Sequence, residues 1–324
     1  MAGCENCPKH PTQPPARYVA PKREVPLTGI LNVDKPPGLT SHDVVDVIRR
    51  VTGQRKVGHA GTLDPMATGV LLVCLGQATR VAEYLMAGRK RYRATIILGR
   101  TTDTYDAEGQ VVASGGRTDF ERDELDQALA AFVGPIEQVP PAYSAIKRDG
   151  QPMYRLARQG QAVELEPRPV EIHEAVLLDW ASPALVIEVE CSSGTYIRSL
   201  AHDLGQALGS GAHLGALVRL RSGHFRLEDA ASLARVEEAF EHGQGERYLL
   251  PMDEALLDWP AVVVGAGDAR RIAQGQAIYE GLSQDDGGSS SLWRAYSLDG
   301  EFLAIMSYDP QTGAWQPKKV FASG

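Results

Sequence analysis

Residues 56–71 place one carboxylate, Asp64, among small residues directly before an apolar segment. The three glycines and two alanines of this run leave space beside the chain, and glycine permits the positive φ values of sharp turns. The backbone around Asp64 can therefore turn tightly and approach a ligand closely. The continuous apolar run at 70–75 predicts a buried strand. Taken alone, Leu-Asp-Pro is also compatible with an ordinary turn that satisfies its own carboxylate.

Strand-like and helix-like segments interleave along the chain without the regular βαβ rhythm of a doubly wound fold. Residues 27–33 predict a strand that ends at Pro36-Pro37-Gly38, and Thr40 or Ser41 predicts the cap of a helix through Arg50. Further strand patterns cover 93–98 and 185–191, and helical patterns cover 123–132, 153–159 and 197–208. The predicted fold class is mixed α+β, with one main domain over residues 27–250.

The two ends of the chain differ from this main domain in composition. Residues 1–26 contain six prolines and almost no apolar side chains, so we expect a disordered tail there. Residues 248–251 mark a predicted boundary. Beyond it, short apolar runs at 261–264, 293–298 and 302–305 alternate with polar turns, which predicts a small β-rich domain over residues 251–324.

Composition excludes several classes of protein. The chain has 324 residues, 43% of them hydrophobic, but no apolar run approaches the roughly 18 to 20 residues that span a bilayer. We therefore expect a soluble, cytoplasmic protein without membrane association. Four cysteines are too few for a disulfide framework, and Cys4 and Cys7 lack a second pair of ligands at zinc-finger spacing. Reduced thiols and no bound metal are expected.

The charge pattern bears on nucleic-acid binding. A net charge of −8 argues at first against such a partner, because a polyanion needs local positive potential. Basic residues nevertheless cluster at 49–56, 89–93 and 219–226, whereas acidic residues collect at 119–126 and 228–241. A charge run is usually a solvated face. Three basic clusters beside the motifs described next favour nucleic-acid binding instead.

Five motifs follow one another along the chain, at residues 29–43, 56–71, 90–106, 139–147 and 191–200. The second contains His59-Ala60-Gly61-Thr62-Leu63-Asp64-Pro65, and the last contains Gly194-Thr195-Tyr196-Ile197-Arg198. In this order and spacing they resemble the pseudouridine synthases of the TruB type, which isomerise uridine 55 in the T-loop of tRNA. The resemblance covers about residues 27–250.

This resemblance implies a central, largely antiparallel sheet flanked by helices, with the active-site cleft across its middle. It also implies isomerisation of uridine 55 without cofactor or metal, since the C1′–N1 bond is replaced by a C1′–C5 bond with no change of oxidation state. Asp64 matches the catalytic carboxylate, acting as nucleophile or base. The implied partner is the T-arm stem-loop of tRNA, bound by a monomer with no obligatory protein partner.

The resemblance assigns roles to further residues around Asp64. Arg198 matches the arginine that holds the catalytic carboxylate by charge-assisted hydrogen bonds. Tyr92 matches the ring that stacks on the target base. The uridine must leave the RNA stack before it can react, and His59 matches the residue that fills the vacated space.

Three other residues match positions near the substrate. Asp103 matches a position that binds near the uridine or orders the active-site loop. Tyr196 and Leu217 match residues that line the pocket, although Leu217 is equally compatible with plain core packing.

Two regions are predicted to hold the RNA. Residues 138–168 form a basic insertion whose counterpart in the family folds over the RNA stem-loop; its candidate phosphate ligands are Lys147, Arg148, Arg155 and Arg158. Residues 268–276 and 317–321 resemble parts of a PUA-like RNA-binding domain. A stabilising or interaction domain is the alternative for this C-terminal region.

Two other functions stay open at this point. A tRNA-binding or tRNA-folding protein would use the pocket only secondarily, and such a protein would tolerate Asn at position 64. A guide-RNA-dependent pseudouridine synthase would rely on partner proteins. The basic insertion argues against this second alternative, because guided members of the family lack much of it.

Overall fold

The computed structural model describes Ala20 and residues 25–141, 147–148, 151–152, 166–279 and 292–322. Most of the predicted tail, most of the basic insertion and the predicted helix at 153–159 lie outside these ranges. The helices are α1 (Ser41–Thr52), α2 (Ala82–Ala87), α3 (Arg122–Ala130), α4 (Ile197–Ala207), α5 (Leu233–Glu241) and α6 (Ala266–Ala273). In the described part of the chain, no helix has the length and apolarity needed to cross a membrane.

The strands are numbered in chain order. They are β1 (Gly29–Lys35), β2 (Val57–Ala60), β3 (Thr68–Leu75), β4 (Lys90–Leu98), β5 (Arg100–Thr102), β6 (Val111–Ser114), β7 (Gly134–Gln138), β8 (Lys147–Arg148), β9 (Gln151–Pro152), β10 (Arg168–Ala181), β11 (Ala184–Cys191), β12 (Ala212–Ser222), β13 (Phe225–Arg226), β14 (Ala231–Ser232), β15 (Leu249–Leu250), β16 (Ala261–Val263), β17 (Leu292–Tyr296), β18 (Phe302–Asp309) and β19 (Ala314–Val320).

One large sheet forms the centre of the molecule, in the order β14-β1-β3-β12-β4-β11-β10-β7. The short strands β2, β13 and β15 pair with β3, β12 and β1. Only the β1–β14 and β3–β12 pairings are parallel among those described in this sheet. The sequence-based expectation of a mixed, largely antiparallel sheet flanked by helices is therefore confirmed.

The first helix shows how local sequence sets its own ends. Thr40 caps α1 in a reciprocal box with Asp43, as the sequence predicted, because each side chain accepts a hydrogen bond from the other residue's backbone N–H. Gly53 ends the helix in the left-handed conformation at φ 66°. The helix buries Val44, Val45, Ile48 and Val51 against the sheet.

The apolar run of β3 is continuous because this strand is buried on both faces. Successive side chains of a strand point to opposite faces. Odd-numbered residues, beginning with Leu71, join the larger core beneath α1, α3, α4 and α5. Even-numbered residues, beginning with Val70, join a second core on the other face. The strand that follows Asp64 is thus held from both sides.

A four-stranded sheet, in the order β16-β17-β18-β19, forms the C-terminal region and confirms the predicted β-rich character. The strand β19 was not predicted, because Pro317 interrupts its pattern. Proline is tolerated there because β19 is an edge strand beside a register shift in β18. Trp293 and Trp315 belong to a core of this sheet's own.

The C-terminal sheet also shares the second core of the central sheet. Phe302, Ile305 and Phe321 pack in one cluster with Ile30 and Leu72. In addition, Arg80 donates a hydrogen bond to the carbonyl oxygen of Val320 at 2.5 Å. The two sheets therefore share one of the apolar cores.

Because of this shared core, Phe302→Ala is expected to destabilise the whole described protein rather than the C-terminal sheet alone. Phe302 is 8% exposed and stacks on Phe321 at a centroid distance of 5.1 Å. Its truncation should lower the free energy of unfolding by about 3 to 5 kcal/mol in urea denaturation followed by circular dichroism. Leu298→Ala, at a side chain that is 72% exposed, is the control. Two separate unfolding transitions would contradict the shared core.

Candidate active site

A cavity of about 500 Å³ opens on one side of the central sheet. Its walls come from distant parts of the chain: residues 61–64, the end of α2, β4, residues 192–198 and β12. Five of the sequence-predicted site residues line it, namely Asp64, Tyr92, Tyr196, Arg198 and Leu217. The fold thus brings together residues that are up to 153 positions apart (217 − 64).

Asp64 lies in the loop between β2 and β3, which is called the Asp64 loop here (residues 61–67). Arg198, in the first turn of α4, meets the carboxylate with two nitrogens. Its Nη2 donates to Oδ1 at 3.0 Å, and its Nε lies 3.0 Å from Oδ2. The guanidinium fork thereby fixes both the position and the orientation of the carboxylate.

Asp106 is a second carboxylate on the same arginine. Its Oδ2 lies 3.1 Å from Arg198 Nη1. Its Oδ1 accepts hydrogen bonds from the Thr104 hydroxyl at 2.6 Å and from the Glu108 N–H at 3.1 Å. Arg198 is therefore held between two carboxylates, with side chains of Arg198 and Asp106 only 7% and 5% exposed.

Opposing effects act on the pKa of Asp64. Burial raises the pKa of its carboxyl above the ordinary value, and the charge of Asp106 adds to that shift. Arg198 and, more weakly, Lys35 act in the opposite direction. Asp64 nonetheless lines the cavity with 31% of its side chain accessible. The carboxyl is therefore open to a ligand while its charge is controlled by Arg198.

Lys35, at the end of β1, is hydrogen-bonded to the Asp64 loop. Its fully buried ammonium donates to the carbonyl oxygens of Pro36, Leu39 and Pro65 at 2.9, 2.5 and 3.1 Å. Burial lowers the pKa of Lys35, and the nearby Asp64 carboxylate opposes that shift. The contact to Pro65 holds the residue next to Asp64.

Lys35→Met is expected to destabilise the protein, because three partly buried carbonyl oxygens lose their donor. The free energy of unfolding should fall by about 1 to 3 kcal/mol in urea denaturation. Lys318→Met removes an exposed ammonium and should leave that free energy unchanged. Equal stability of Lys35→Met and the wild type would contradict the supporting role of Lys35.

Arg219 is a buried cation that sequence reasoning placed only in a basic cluster. It is 1% exposed, and its guanidinium donates to the carbonyl oxygens of Val70 at 2.6 Å and Gly61 at 3.1 Å. Gly69 is required beside it, since a Cβ there would lie 2.3 Å from the Arg219 carbonyl oxygen and φ is +96°. Arg219 therefore ties β12 to the Asp64 loop.

Tyr92 and Leu217 lie on neighbouring strands, β4 and β12, and both face the cavity. Tyr92 is 8% exposed and lies opposite Arg219 in the β4–β12 register. Burial raises the pKa of the Tyr92 hydroxyl. Tyr196 precedes α4, and its backbone N–H donates to the Gln138 side chain at 2.7 Å. The contact with Gln138 thus holds the backbone of Tyr196 at the wall of the cavity.

Lys90 lines the cavity beside Tyr92 and was not singled out by sequence reasoning. Its ammonium donates to the carbonyl oxygens of Gly88 at 2.5 Å and of Met86, at the end of α2. Burial lowers the pKa of Lys90 to about 8. The contacts fasten α2 to the start of β4.

Two sequence-predicted site residues do not line the cavity. His59 lies on β2, two residues before Gly61, and is half-buried. Burial lowers the pKa of His59, and its Nδ1 has no hydrogen-bond partner among the described residues. Asp103 is exposed between β5 and β6, where its carboxylate accepts from the Gln110 N–H at 2.8 Å. Its neighbour Asp106 reaches Arg198 instead.

Much of the predicted basic surface is paired with acidic side chains. Arg91 and Arg93 on β4 form ion pairs with Glu188 on β11, and Arg221 on β12 pairs with Glu190 at 2.8 Å. These pairs reduce the net positive potential of that sheet face. Lys147 and Arg148 lie in β8, described only by its backbone, and Arg155 and Arg158 lie outside the described residues.

No group of three or more potential metal ligands of the His, Cys, Asp or Glu type occurs in the described ranges. Both described cysteines, Cys74 and Cys191, are free and buried. Burial raises their thiol pKa values to about 12 and about 11. The titratable side chains that line the cavity carry carboxylate, ammonium, guanidinium and phenol groups.

Comparisons with known proteins agree with this arrangement of residues. Residues 49–197 match the N-terminal domain of the TruB family of pseudouridylate synthases, and residues 198–257 match the C-terminal domain of tRNA pseudouridylate synthase B. The first match contains Asp64 and ends one residue before Arg198, the first residue of the second match.

Two curated relatives are similar over nearly their whole length. The tRNA pseudouridine synthase B of Gloeobacter violaceus is 52% identical over 91% of this chain and 99% of its own. That of Dehalococcoides mccartyi is 43% identical over 92% and 97%.

Solved structures share the fold. A chain in the crystal structure of a Cbf5-Nop10-Gar1 complex is 30% identical, with a TM-score of 0.69, and the match covers 91% of this chain and 85% of that one. A chain in an H/ACA RNP bound to a substrate RNA containing 2′-deoxyuridine is 26% identical over 98% and 93%, also with a TM-score of 0.69. The fold, the sequence matches and the order of the motifs lead to one conclusion: this chain belongs to the TruB family of pseudouridylate synthases.

Proposed function

We propose that this chain isomerises uridine to pseudouridine at position 55 in the T-loop of tRNA, with Asp64 as the catalytic residue and without a cofactor. The observation that carries the proposal is the contact between Asp64 and the buried Arg198. Arg198 Nη2 donates to Asp64 Oδ1 at 3.0 Å, in a cavity that Tyr92 also lines. A carboxylate held in this way is fixed in orientation and stabilised in its ionised form. Its partner, the Arg198 guanidinium, cannot lose a proton at physiological pH.

The chemistry needs little more than this site contains. The C1′–N1 bond of the uridine breaks, the base turns within the cavity, C1′ joins C5, and the C5 proton leaves while N1 gains one. Asp64 acts at the sugar or as a base, and a carboxylate also accepts the C5 proton. No electron is lost or gained, so the reaction balances without an oxidant or reductant.

The cavity fits a single extruded nucleotide rather than an intact helix. Its volume of about 500 Å³ lies within the usual range of small-ligand pockets. Tyr92 offers a ring face for stacking, with Leu217 and Tyr196 beside it. His59 is proposed to occupy the space that the uridine leaves in the RNA, outside the cavity itself. Asp103 is proposed to order the loop that carries Asp106, which its hydrogen bond to Gln110 supports.

The comparisons favour this proposal over a guide-RNA-dependent enzyme. Two relatives named tRNA pseudouridine synthase B share 43% and 52% identity with the chain, against 30% and 26% for the chains from ribonucleoprotein complexes. We therefore propose a monomer that acts in the cytoplasm on the T-arm stem-loop, without guide RNA or partner protein. The carboxylate–arginine pair also argues against a pure tRNA-binding protein, since binding alone needs no such buried charge.

A tritium-release assay separates these functions. The purified protein is incubated with a T-arm hairpin made with 5-tritiated uridine, with no other protein or RNA present. Release of the C5 tritium at multiple turnovers is the expected result. Tight binding without release would identify a binding protein, and release only after addition of guide RNA and partner proteins would identify a guided enzyme.

Binding is expected to depend steeply on salt although the protein is acidic overall. The log of the affinity should fall with the log of salt concentration by about 0.9 for each neutralised phosphate. We propose that cations of the basic insertion supply part of this slope, so charge reversal of Arg148, Arg155 and Arg158 should flatten it. Fluorescence anisotropy with the hairpin measures the slope, and an affinity insensitive to salt would remove the insertion from the RNA-binding surface.

We also propose that the C-terminal sheet is a PUA-like RNA-binding domain. Arg270 and Arg271 support this assignment, because both are exposed on α6. A charge reversal of the two arginines should weaken binding of full-length tRNA more than binding of the short hairpin.

A further inference from the structure

Tyr105 has an unusual backbone conformation next to the active site. Its φ of 63° makes it the one non-glycine residue with positive φ in the described part of the chain. An aromatic side chain rarely adopts this conformation, because its Cβ crowds the following carbonyl group. Such a residue persists only where the surrounding structure holds it. Tyr105 directly precedes Asp106, the carboxylate that shares Arg198 with Asp64.

The ring of Tyr105 stacks on the imidazole of His202. The ring centroids are 3.9 Å apart, and the planes differ by 15°. His202 lies on α4 four residues after Arg198, so both side chains emerge from the same face of the helix, one turn apart. The stack is therefore a second contact between α4 and the loop at residues 103–109, which is called the Asp106 loop here.

The contact depends on the imidazole ring rather than on a hydrogen bond from its Nδ1. His202 Nδ1 is buried and has no hydrogen-bond partner in the described ranges. Burial lowers the pKa of His202, while the adjacent Asp203 opposes that shift. The neutral, flat face that results suits stacking against the tyrosine ring.

The backbone of the Asp106 loop is fixed at the same point. The carbonyl oxygen of Tyr105 accepts a hydrogen bond from the Leu214 N–H at 2.9 Å, and Asp106 forms an isolated bridge with Leu214 on β12. The backbone of Tyr105 is thus bonded to β12, and its ring packs on α4. Tyr105 therefore links these two elements next to the Asp106–Arg198 contact.

We propose that Tyr105 and His202 are positioning residues for the active site: their stack holds the Asp106 loop against α4 and thereby keeps the Arg198 fork on Asp64. This inference rests on the proposed function for its kinetic consequences. Neither residue lines the cavity, so we assign neither of them a contact with the substrate uridine. Loss of the stack should therefore affect the chemical step rather than RNA binding.

The test compares His202→Ala with His202→Phe, which keeps a flat ring. For His202→Ala we expect kcat on the T-arm hairpin to fall by between about tenfold and about a hundredfold, through misplacement of the reacting groups. The KM should stay within about twofold, because RNA contacts are untouched. His202→Phe should restore most of the lost kcat. His224→Ala removes a comparably stacked histidine, His224 on Phe225, which does not line the cavity, and is the matched control.

A second readout does not depend on catalysis. Arg198 opposes the rise that burial causes in the pKa of Asp64, so a looser Arg198 lets that pKa rise further. Titration of aspartate-labelled protein by carbon-13 NMR, with Asp64→Asn to assign the signal, should show a higher Asp64 pKa in His202→Ala than in the wild type. The charged groups that face Asp64 are Arg198, Asp106 and Lys35, and all three are retained in this variant.

The outcomes separate this inference from the proposed function. A wild-type protein without turnover overturns the function, while the NMR titration still tests the positioning role. An unchanged kcat and Asp64 pKa in His202→Ala would overturn the positioning role alone. A His202→Phe variant as impaired as His202→Ala would show that the stacked ring is not the essential feature and would equally overturn the proposal.

Discussion

Asp64→Asn is expected to abolish pseudouridine formation, with kcat reduced by about 10⁴-fold or more, as for the loss of a central catalytic group in other enzymes. An amide has the same shape as the carboxylate but neither attacks C1′ nor accepts the C5 proton. Affinity for tRNA should stay within about tenfold of the wild-type value, because phosphate contacts from other residues dominate binding. Single-turnover tritium release and anisotropy measure the two quantities on one preparation.

The fold of the Asn variant should be intact, since Arg198 keeps its contact with Asp106 at 3.1 Å. Circular dichroism at matched concentration checks this before the kinetic comparison. Appreciable turnover by a folded Asn variant would show that another group performs the chemistry. An equal loss of affinity and turnover would instead point to a binding role for Asp64.

Arg198→Lys is expected to lower kcat by about a hundredfold although the positive charge is preserved. The guanidinium contacts Asp64 through Nε and Nη2 and Asp106 through Nη1. A single ammonium on a flexible stem cannot reproduce contacts to two carboxylates from three nitrogens. Multiple-turnover kinetics on the hairpin, with kcat and KM determined separately, measure the effect.

The control for this substitution is Arg117→Lys, at a surface arginine that pairs with Glu124 at 2.9 Å and is 48% exposed. An exposed pair contributes little, so this variant should behave as the wild type. Equal rates for Arg198→Lys and Arg117→Lys would reduce Arg198 to a structural cation.

The local sequence was sufficient for several of the elements and for the residues of the main motifs. The Thr40 cap, the buried β3 and the start of α4 each depend on neighbours within a few positions, which is why their patterns are visible. The motifs around Asp64 and Arg198 also led to two side chains that the fold places 3.0 Å apart.

Residues that act through distant backbone groups escaped sequence reasoning. Lys35 and Arg219 are buried cations that reach the carbonyl oxygens of Pro65 and Gly61 in a distant segment, and no pattern in sequence marks such acceptors. Asp106 had a partial signal, since it lies in the same motif as Asp103. Which of the two carboxylates reaches Arg198 depends on the turn at Tyr105. The positive φ of this turn is not predictable from sequence, because tyrosine rarely adopts it.

The charge pattern also needed the structure for its interpretation. Arg91 and Arg93 lie in one basic cluster of the sequence and Arg221 in another, and their glutamate partners lie on a different strand, β11. Strand pairing brings opposite charges together across the sheet. A local run of arginines in the sequence therefore overstates the positive surface available to RNA.

Chemical mapping of pseudouridine along an unmodified, full-length tRNA transcript tests the central claim most directly. The transcript is incubated with the purified protein alone, treated with a carbodiimide that marks pseudouridine, and read by primer extension. The account predicts a single new stop, at uridine 55 in the T-loop, with the wild type and no stop with Asp64→Asn. A transcript left unmodified by the wild type, or a stop at a different uridine, would contradict it.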